Sequence, residues 1–118
     1  MLARGDSISH FVVTTVEGSE VRYADSWQRR FLVLVCLRDD SAWARACAAA
    51  LAIACAGTEV ETTCVVTAAA VDGVPAPAAV VADRYGEVVF AAAVATVDDL
   101  PFPDDLADWV RSAGIRCS

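Results

Sequence analysis

The residues most able to do chemistry in this chain are its cysteines, at positions 36, 47, 55, 64 and 117. A thiolate is a nucleophile toward peroxides and disulfides, and its reactivity depends on what lowers its pKa. The stretch "VLVCLRDDSAWARACAAAL", Val33 to Leu51, carries two of the five on a strand that runs into an alanine-rich helix. In such a unit a thiol near the first turn of the helix is activated by the unpaired N–H groups and the dipole there. If Ser41 is the cap, Cys47 lies in the second turn, where the neighbouring N–H groups are already bonded. Arg38 or Arg45 would then have to supply the positive charge. Trp43, Cys47, Leu51 and Cys55 recur every four residues, which predicts one buried stripe drifting ~40° per step. On that reading Cys47 and Cys55 pack as small hydrophobes. Cys36 and Cys64 sit inside two apolar strands and are expected to be buried free thiols, while Cys117 is expected to be exposed.

The other candidates are weaker. His10 is the sole histidine, and without a second one or a close cysteine pair it does not suggest zinc, which needs about four converging ligands. Asp98, Asp99, Asp104 and Asp105 crowd a helix entrance, with Arg111 and Arg116 at its exit, a distribution that complements the helix dipole. Ser41 lacks nucleophile-elbow glycines, and no glycine-rich phosphate loop is present. No metal and no cofactor are expected.

These residues must be positioned by a small domain. The chain has 118 residues, 57% of them hydrophobic and 21% charged, the mark of one globular domain. Mean hydropathy is +0.48. The longest apolar run, Ala46 to Ala56, falls well short of the ~20 residues that span a bilayer. "MLARGDS" lacks the apolar stretch of a signal peptide, so a cytoplasmic location is expected. A net charge of −7 and the absence of lysine argue against nucleic acid and anionic membranes as partners. An odd cysteine count argues against a disulfide framework.

Along the chain, "ISHFVVTTVEGSEVRYADSW" predicts a hairpin around Glu17 to Glu20. "FLVLVCL" does not alternate, which suggests a strand buried on both faces. Asp39, Asp40 or Ser41 can cap the following helix, and Gly57 can end it. "EVETTCVVT" is a second central strand, giving a βαβ unit. "AAAVDGVPAP" is a loop, and "AAVVA" and "EVVFAAAV" form a hairpin around Asp83 to Gly86. A helix near Asp104 to Ala113 closes the order, with Leu106, Trp109, Val110 and Ala113 on its apolar side.

Several of these pieces resemble the redoxin branch of the thioredoxin superfamily, the peroxiredoxin-like and thioredoxin-like proteins. "GDSISHF" is similar to the Gly-Asp-x-x-Pro-x-Phe opening, with Ser9 in place of the proline. "EGSEVRYADSW" resembles the segment leading into the first central strand, and "VPAPAAVVADRYGEVVF" the Val-Pro-x-x-x-x-Val-Asp-x-x-Gly stretch. The resemblance implies a cis bond at Ala76-Pro77. It also implies a reduced α/β thioredoxin-like fold over residues 1–118. That fold has a mixed sheet, an N-terminal hairpin and two main helices on one face, with one family helix replaced by the loop at 68–77. The catalytic signatures are missing: a Cys-x-x-Cys would fall at Ala42-Trp43-Ala44-Arg45, and the peroxiredoxin pattern ending on Cys47 puts Asp40 and Ala44 at its proline and threonine.

The resemblance therefore implies a degenerate redoxin, a binding or assembly module without dithiol chemistry. Its contact surface would comprise Arg38, Asp39, Asp40, Ser41, Trp43 and Arg45 beside Pro75, Ala76 and Pro77. The alternative is a one-cysteine peroxide or disulfide reductase using Cys47, with Cys117 as the resolving thiol. Without the missing helix, one apolar sheet face needs a cover. The N-terminal hairpin can supply it, or a homodimer or protein partner can pack there.

Overall fold

The computed structural model of the chain describes residues 1–117, with side chains described through Ile115. The resolving role weighed for Cys117 lies on a side chain outside the described residues. Six strands and two long helices form, in the order β1 (Val12–Thr14), β2 (Glu20–Arg22), β3 (Phe31–Cys36), α1 (Ala42–Ala56), β4 (Thr62–Thr67), β5 (Ala78–Ala82), β6 (Val88–Ala93) and α2 (Pro103–Cys117). Short 3₁₀ turns follow β2 at Tyr23–Asp25 and precede α2 at Val97–Asp99.

The four central strands lie in the order β4-β3-β5-β6. β3 pairs in parallel with β4, with Val33 opposite Cys64, and antiparallel with β5, with Leu34 opposite Val80. Interior position explains the unbroken apolar run of β3, since a strand flanked on both edges and covered on both faces has no wet side. All six of its residues are buried. Alternation then divides them between two cores. Phe31, Val33 and Val35 join Val66, Ala79 and Val81 beneath the helices. Leu32, Leu34 and Cys36 join Val65, Ala78, Val80 and Ala82 on the opposite face.

Both helices pack on the first face. The buried residues of α1 are Ala44, Ala48, Leu51 and Cys55. This corrects the predicted stripe: steps of 4, 3 and 4 residues stay in line on a helix of 3.6 residues per turn, whereas repeated steps of four rotate away. Alanines at 44 and 48 also let the helix approach the sheet more closely than Trp43 would. Trp43 is instead 39% exposed, and Cys47 is half-buried at the flank of the helix. From α2, Leu106, Val110 and Ala113 enter the same core, and Trp109 stacks on Phe90 with centroids 5.1 Å apart.

The opposite face, where a dimer partner was one of the expected covers, is covered by this chain. Ile8, Val13, Tyr23, Val71 and Val74 are buried on it, with Leu2 and Phe11 packed alongside. Backbone bonds hold the cover in place. The amide of Ile8 donates to the Gly86 carbonyl at 2.9 Å, and those of Leu2 and Val16 donate to Gly73 and Val66 at 3.1 and 2.8 Å. The Thr67 hydroxyl donates to the Thr14 carbonyl at 2.7 Å, so the β1–β2 hairpin is pinned to the edge strand β4. Residues 68–77, where the family helix is absent, contribute Val71 and Val74 from a loop closed by a bridge between them. Of the covers the sequence allowed for this face, the N-terminal segment and this loop both pack on it.

The β5–β6 turn shows why glycine occupies position 86. Its φ is +82°, and a Cβ there would lie 3.0 Å from the Tyr23 hydroxyl oxygen. Asp83 is buried in the same turn, its carboxylate accepting from the amides of Tyr85 and Glu87 at 2.9 and 3.0 Å.

Candidate functional site

The start of α1 is built by Ser41. Its backbone is extended, with φ −131° and ψ 169°, and its hydroxyl accepts from the Ala44 amide at 3.2 Å. Of the three capping residues the sequence allows, Ser41 takes the role, leaving Asp39 and Asp40 exposed in the loop. The unpaired N–H groups of the first turn therefore face a serine cap, with Ala42, Trp43, Ala44 and Arg45 following it. No thiol stands in that turn.

The β3–α1 loop and the proline loop are joined. Arg38 Nε donates to the Ala76 carbonyl at 3.3 Å, and the Ala76–Pro77 peptide bond is cis. Pro77 is buried, its carbonyl accepting from the Val94 amide at 3.0 Å, while Pro75 is exposed. Arg45 Nε pairs with Asp40 Oδ1 at 3.5 Å across the helix start. Arg38, Asp39, Asp40, Ser41, Trp43 and Arg45 thus follow one another around the start of α1, and Arg38 ties them to the Pro75–Pro77 segment.

Cys47 does not join that constellation. It lines a groove of about 310 Å³ between α1 and the segment leading into α2, together with Trp43, Ala50, Val97, Leu100 and Phe102. No residue of the proline loop lines this groove. Burial pushes the Cys47 thiol up, because removing solvent disfavours the charged form. The two cations expected to support a thiolate there are turned elsewhere, Arg38 to Ala76 and Arg45 to Asp40. What the groove offers is apolar contact, with Trp43 39% and Phe102 75% exposed at its border.

The remaining candidates fall into structural roles. Cys36 is buried, and desolvation pushes its thiol up to about 12. His10 lies edge-on to Tyr23 and Trp27, with ring centroids 5.3 and 5.0 Å away. Asp98 and Asp99 belong to the 3₁₀ turn, where Thr96 Oγ1 donates to Asp99 at 3.2 Å, and Asp104 and Asp105 open α2. Among the described residues no three His, Cys, Asp or Glu side chains converge as a metal site would require, and no helix is long and apolar enough to cross a membrane.

One grouping was not foreseen from the sequence. Cys55 and Cys64, read separately as buried thiols, line one groove at the other end of α1. The available signal was that a helix returning from β3 to β4 must end near the beginning of β4, which brings a thiol in its last turns close to one early in that strand.

No protein-family model matches this sequence, and no curated protein is significantly similar to it. Solved structures are similar in fold. A reduced 2-Cys peroxiredoxin from Plasmodium vivax matches with a TM-score of 0.66 at 10% identity, over 98% of this chain and 99% of its own. A peroxiredoxin-like protein from Aquifex aeolicus matches at 0.63 and 16% identity, over 94% and 87%. A thiol peroxidase from Chromobacterium violaceum matches at 0.60 and 9% identity, over 98% and 90%. The fold is thioredoxin-like. Within this thioredoxin-like fold, the start of α1 and the segment bearing the cis bond are the places where the resemblance puts the Cys-x-x-Cys motif and its substrate. In this chain the first carries a serine cap, an alanine and a tryptophan.

Proposed function

We propose that this thioredoxin-like chain is a binding or assembly module that engages a protein partner through the start of α1 and the proline loop, without dithiol chemistry at that end. The observation that carries the reading is the emptied first turn: Ser41 and Ala42 stand where a thiolate would gain most from the helix dipole, and Cys47 opens into an apolar groove that the proline loop does not line. An exposed tryptophan between Arg38 and Arg45 is a composition that favours protein contact, since Trp and Arg dominate binding hot spots. The reading includes a reducing, cytoplasmic setting, which suits the four free thiols among the described residues.

The alternative, a reductase using Cys47, meets two physical obstacles: a thiol whose charged form burial disfavours, and arginines committed to other partners. Two measurements separate the readings. Peroxide consumption and insulin reduction are compared for the wild type and Cys47→Ser, and the binding module requires equal rates in both. Loss of turnover in Cys47→Ser would establish the enzyme instead. In parallel, peptides selected from a displayed random library against the wild type are expected to bind Trp43→Ala at least ~10-fold more weakly, the loss of one aromatic hot spot. Unchanged affinity would place the contact surface elsewhere.

A further inference from the structure

The end of α1 opposite the candidate site holds two thiols that share one groove. Cys55 lies in the last turns of α1, on its buried side, and Cys64 is the third residue of the edge strand β4, on the sheet face that the helices cover. Both line an open groove of about 420 Å³, bordered by Arg30, Glu59, Glu61 and Thr62. Cys55 is 5% exposed and Cys64 is half-buried, so access to the pair runs through this groove.

We propose that Cys55 and Cys64 form a dithiol–disulfide couple that exchanges with low-molecular-weight disulfides entering this groove. The environment supports a division of labour. Both thiols line the same groove, and the neighbouring Cys64 thiol holds Cys55 below the ordinary thiol range against the opposing effect of burial, with further help from the Arg111 guanidinium. The neighbouring Cys55, together with burial, holds Cys64 above that range, even with Arg30 nearby. Cys55 is thus the attacking sulfur and Cys64 the resolving one.

In the first step the Cys55 thiolate attacks one sulfur of a disulfide RSSR. The S–S bond breaks, and RS⁻ leaves and takes a proton from solvent. In the second step Cys64 loses its proton, attacks the Cys55 sulfur of the mixed disulfide and expels the second RS⁻, which is protonated in turn. The sum is protein(SH)₂ + RSSR → protein(S–S) + 2 RSH, with the protein oxidised and the small disulfide reduced by two electrons. The product would tie the last turns of α1 to the edge strand.

This inference does not rest on the binding role at the other end of the helix. The test incubates the reduced, native chain with bis(2-hydroxyethyl) disulfide, then traps free thiols and maps peptides by mass spectrometry. The expected result is a chain lighter by two hydrogen atoms, with a peptide pair joined through Cys55 and Cys64. Cys64→Ser is expected to stop at a mixed disulfide on Cys55, and Cys55→Ser to slow oxidation of Cys64 at least tenfold. A wild-type chain that keeps both thiols free, or links them only after denaturation, would overturn the proposal without reference to the variants. Oxidation that joins a different pair of cysteines would overturn it as well.

Discussion

The two ends of helix α1 sit on the same sheet and are built from the same alanine-rich sequence, yet they differ in every property that governs a thiol. At its start Ser41 caps the free amides, Arg38 and Arg45 are bonded to Ala76 and Asp40, and Cys47, a turn further on, lines an apolar groove. At its other end two thiols line one groove, one held below and one above the ordinary range, with Arg30 at its border. The contrast teaches that a fold's customary reactive position and the place where a chain gathers its thiols need not coincide. The helix dipole favours a thiolate at the start of α1, but none is there to be favoured. At the far end a neighbouring thiol and a guanidinium do the work that the dipole does elsewhere.

The largest expected effect comes from removing the anchor common to both ends. Leu51 is fully buried between α1 and the sheet, and Leu51→Ala should destabilise the chain by about 2–5 kcal/mol through lost burial and a residual cavity. Urea unfolding measures this, and a cost below about 1 kcal/mol would mean that α1 is not held by the core described.

Next is the pH dependence of stability. Cys36 and Tyr23 are both pushed up to about 12, Cys36 by burial and Tyr23 by burial and then by Asp83, from ordinary values of 9.0 and 10.0. Between these limits the folded chain holds protons that the unfolded chain has released. The slope of unfolding free energy with pH is therefore negative. The stabilisation is complete below about pH 9 and is lost as pH rises toward 12. Denaturant titrations across that window should show the fall, and Cys36→Ala should make it shallower.

Smaller effects separate the two ends. Ser41→Ala removes the cap and should cost about 1 kcal/mol, with faster amide exchange confined to the first turn of α1. Equal fraying at the far end would show that the ends are coupled. Arg45→Ala breaks an exposed pair with Asp40 and should change stability by less than about 0.5 kcal/mol.

Much of the fold was legible in the sequence, and for identifiable reasons. The unalternating "FLVLVCL" implied a strand without a wet face, and the Gly57 and Gly86 signals marked where elements turn. The direction of Cys47 was misjudged because steps of exactly four residues look like a stripe in sequence while rotating around the helix. The cover on the second sheet face was hidden for a different reason. Leu2, Ile8, Phe11, Val71 and Val74 lie in irregular segments, where no period announces a buried side. The Cys55–Cys64 pair depends on the β3–β4 register and the seating of α1 over it, and nine positions of separation in sequence carry no trace of either.

The most direct measurement is the residue-resolved rate at which Cys47 is alkylated by iodoacetamide in the native chain, compared with free cysteine across a pH series. With its thiol pushed up by burial and no cation committed to it, Cys47 should react more slowly than free cysteine, its rate climbing only above the ordinary thiol range. A Cys47 that reacts far faster than free cysteine near neutral pH would contradict the claim that thiol chemistry has left the start of α1.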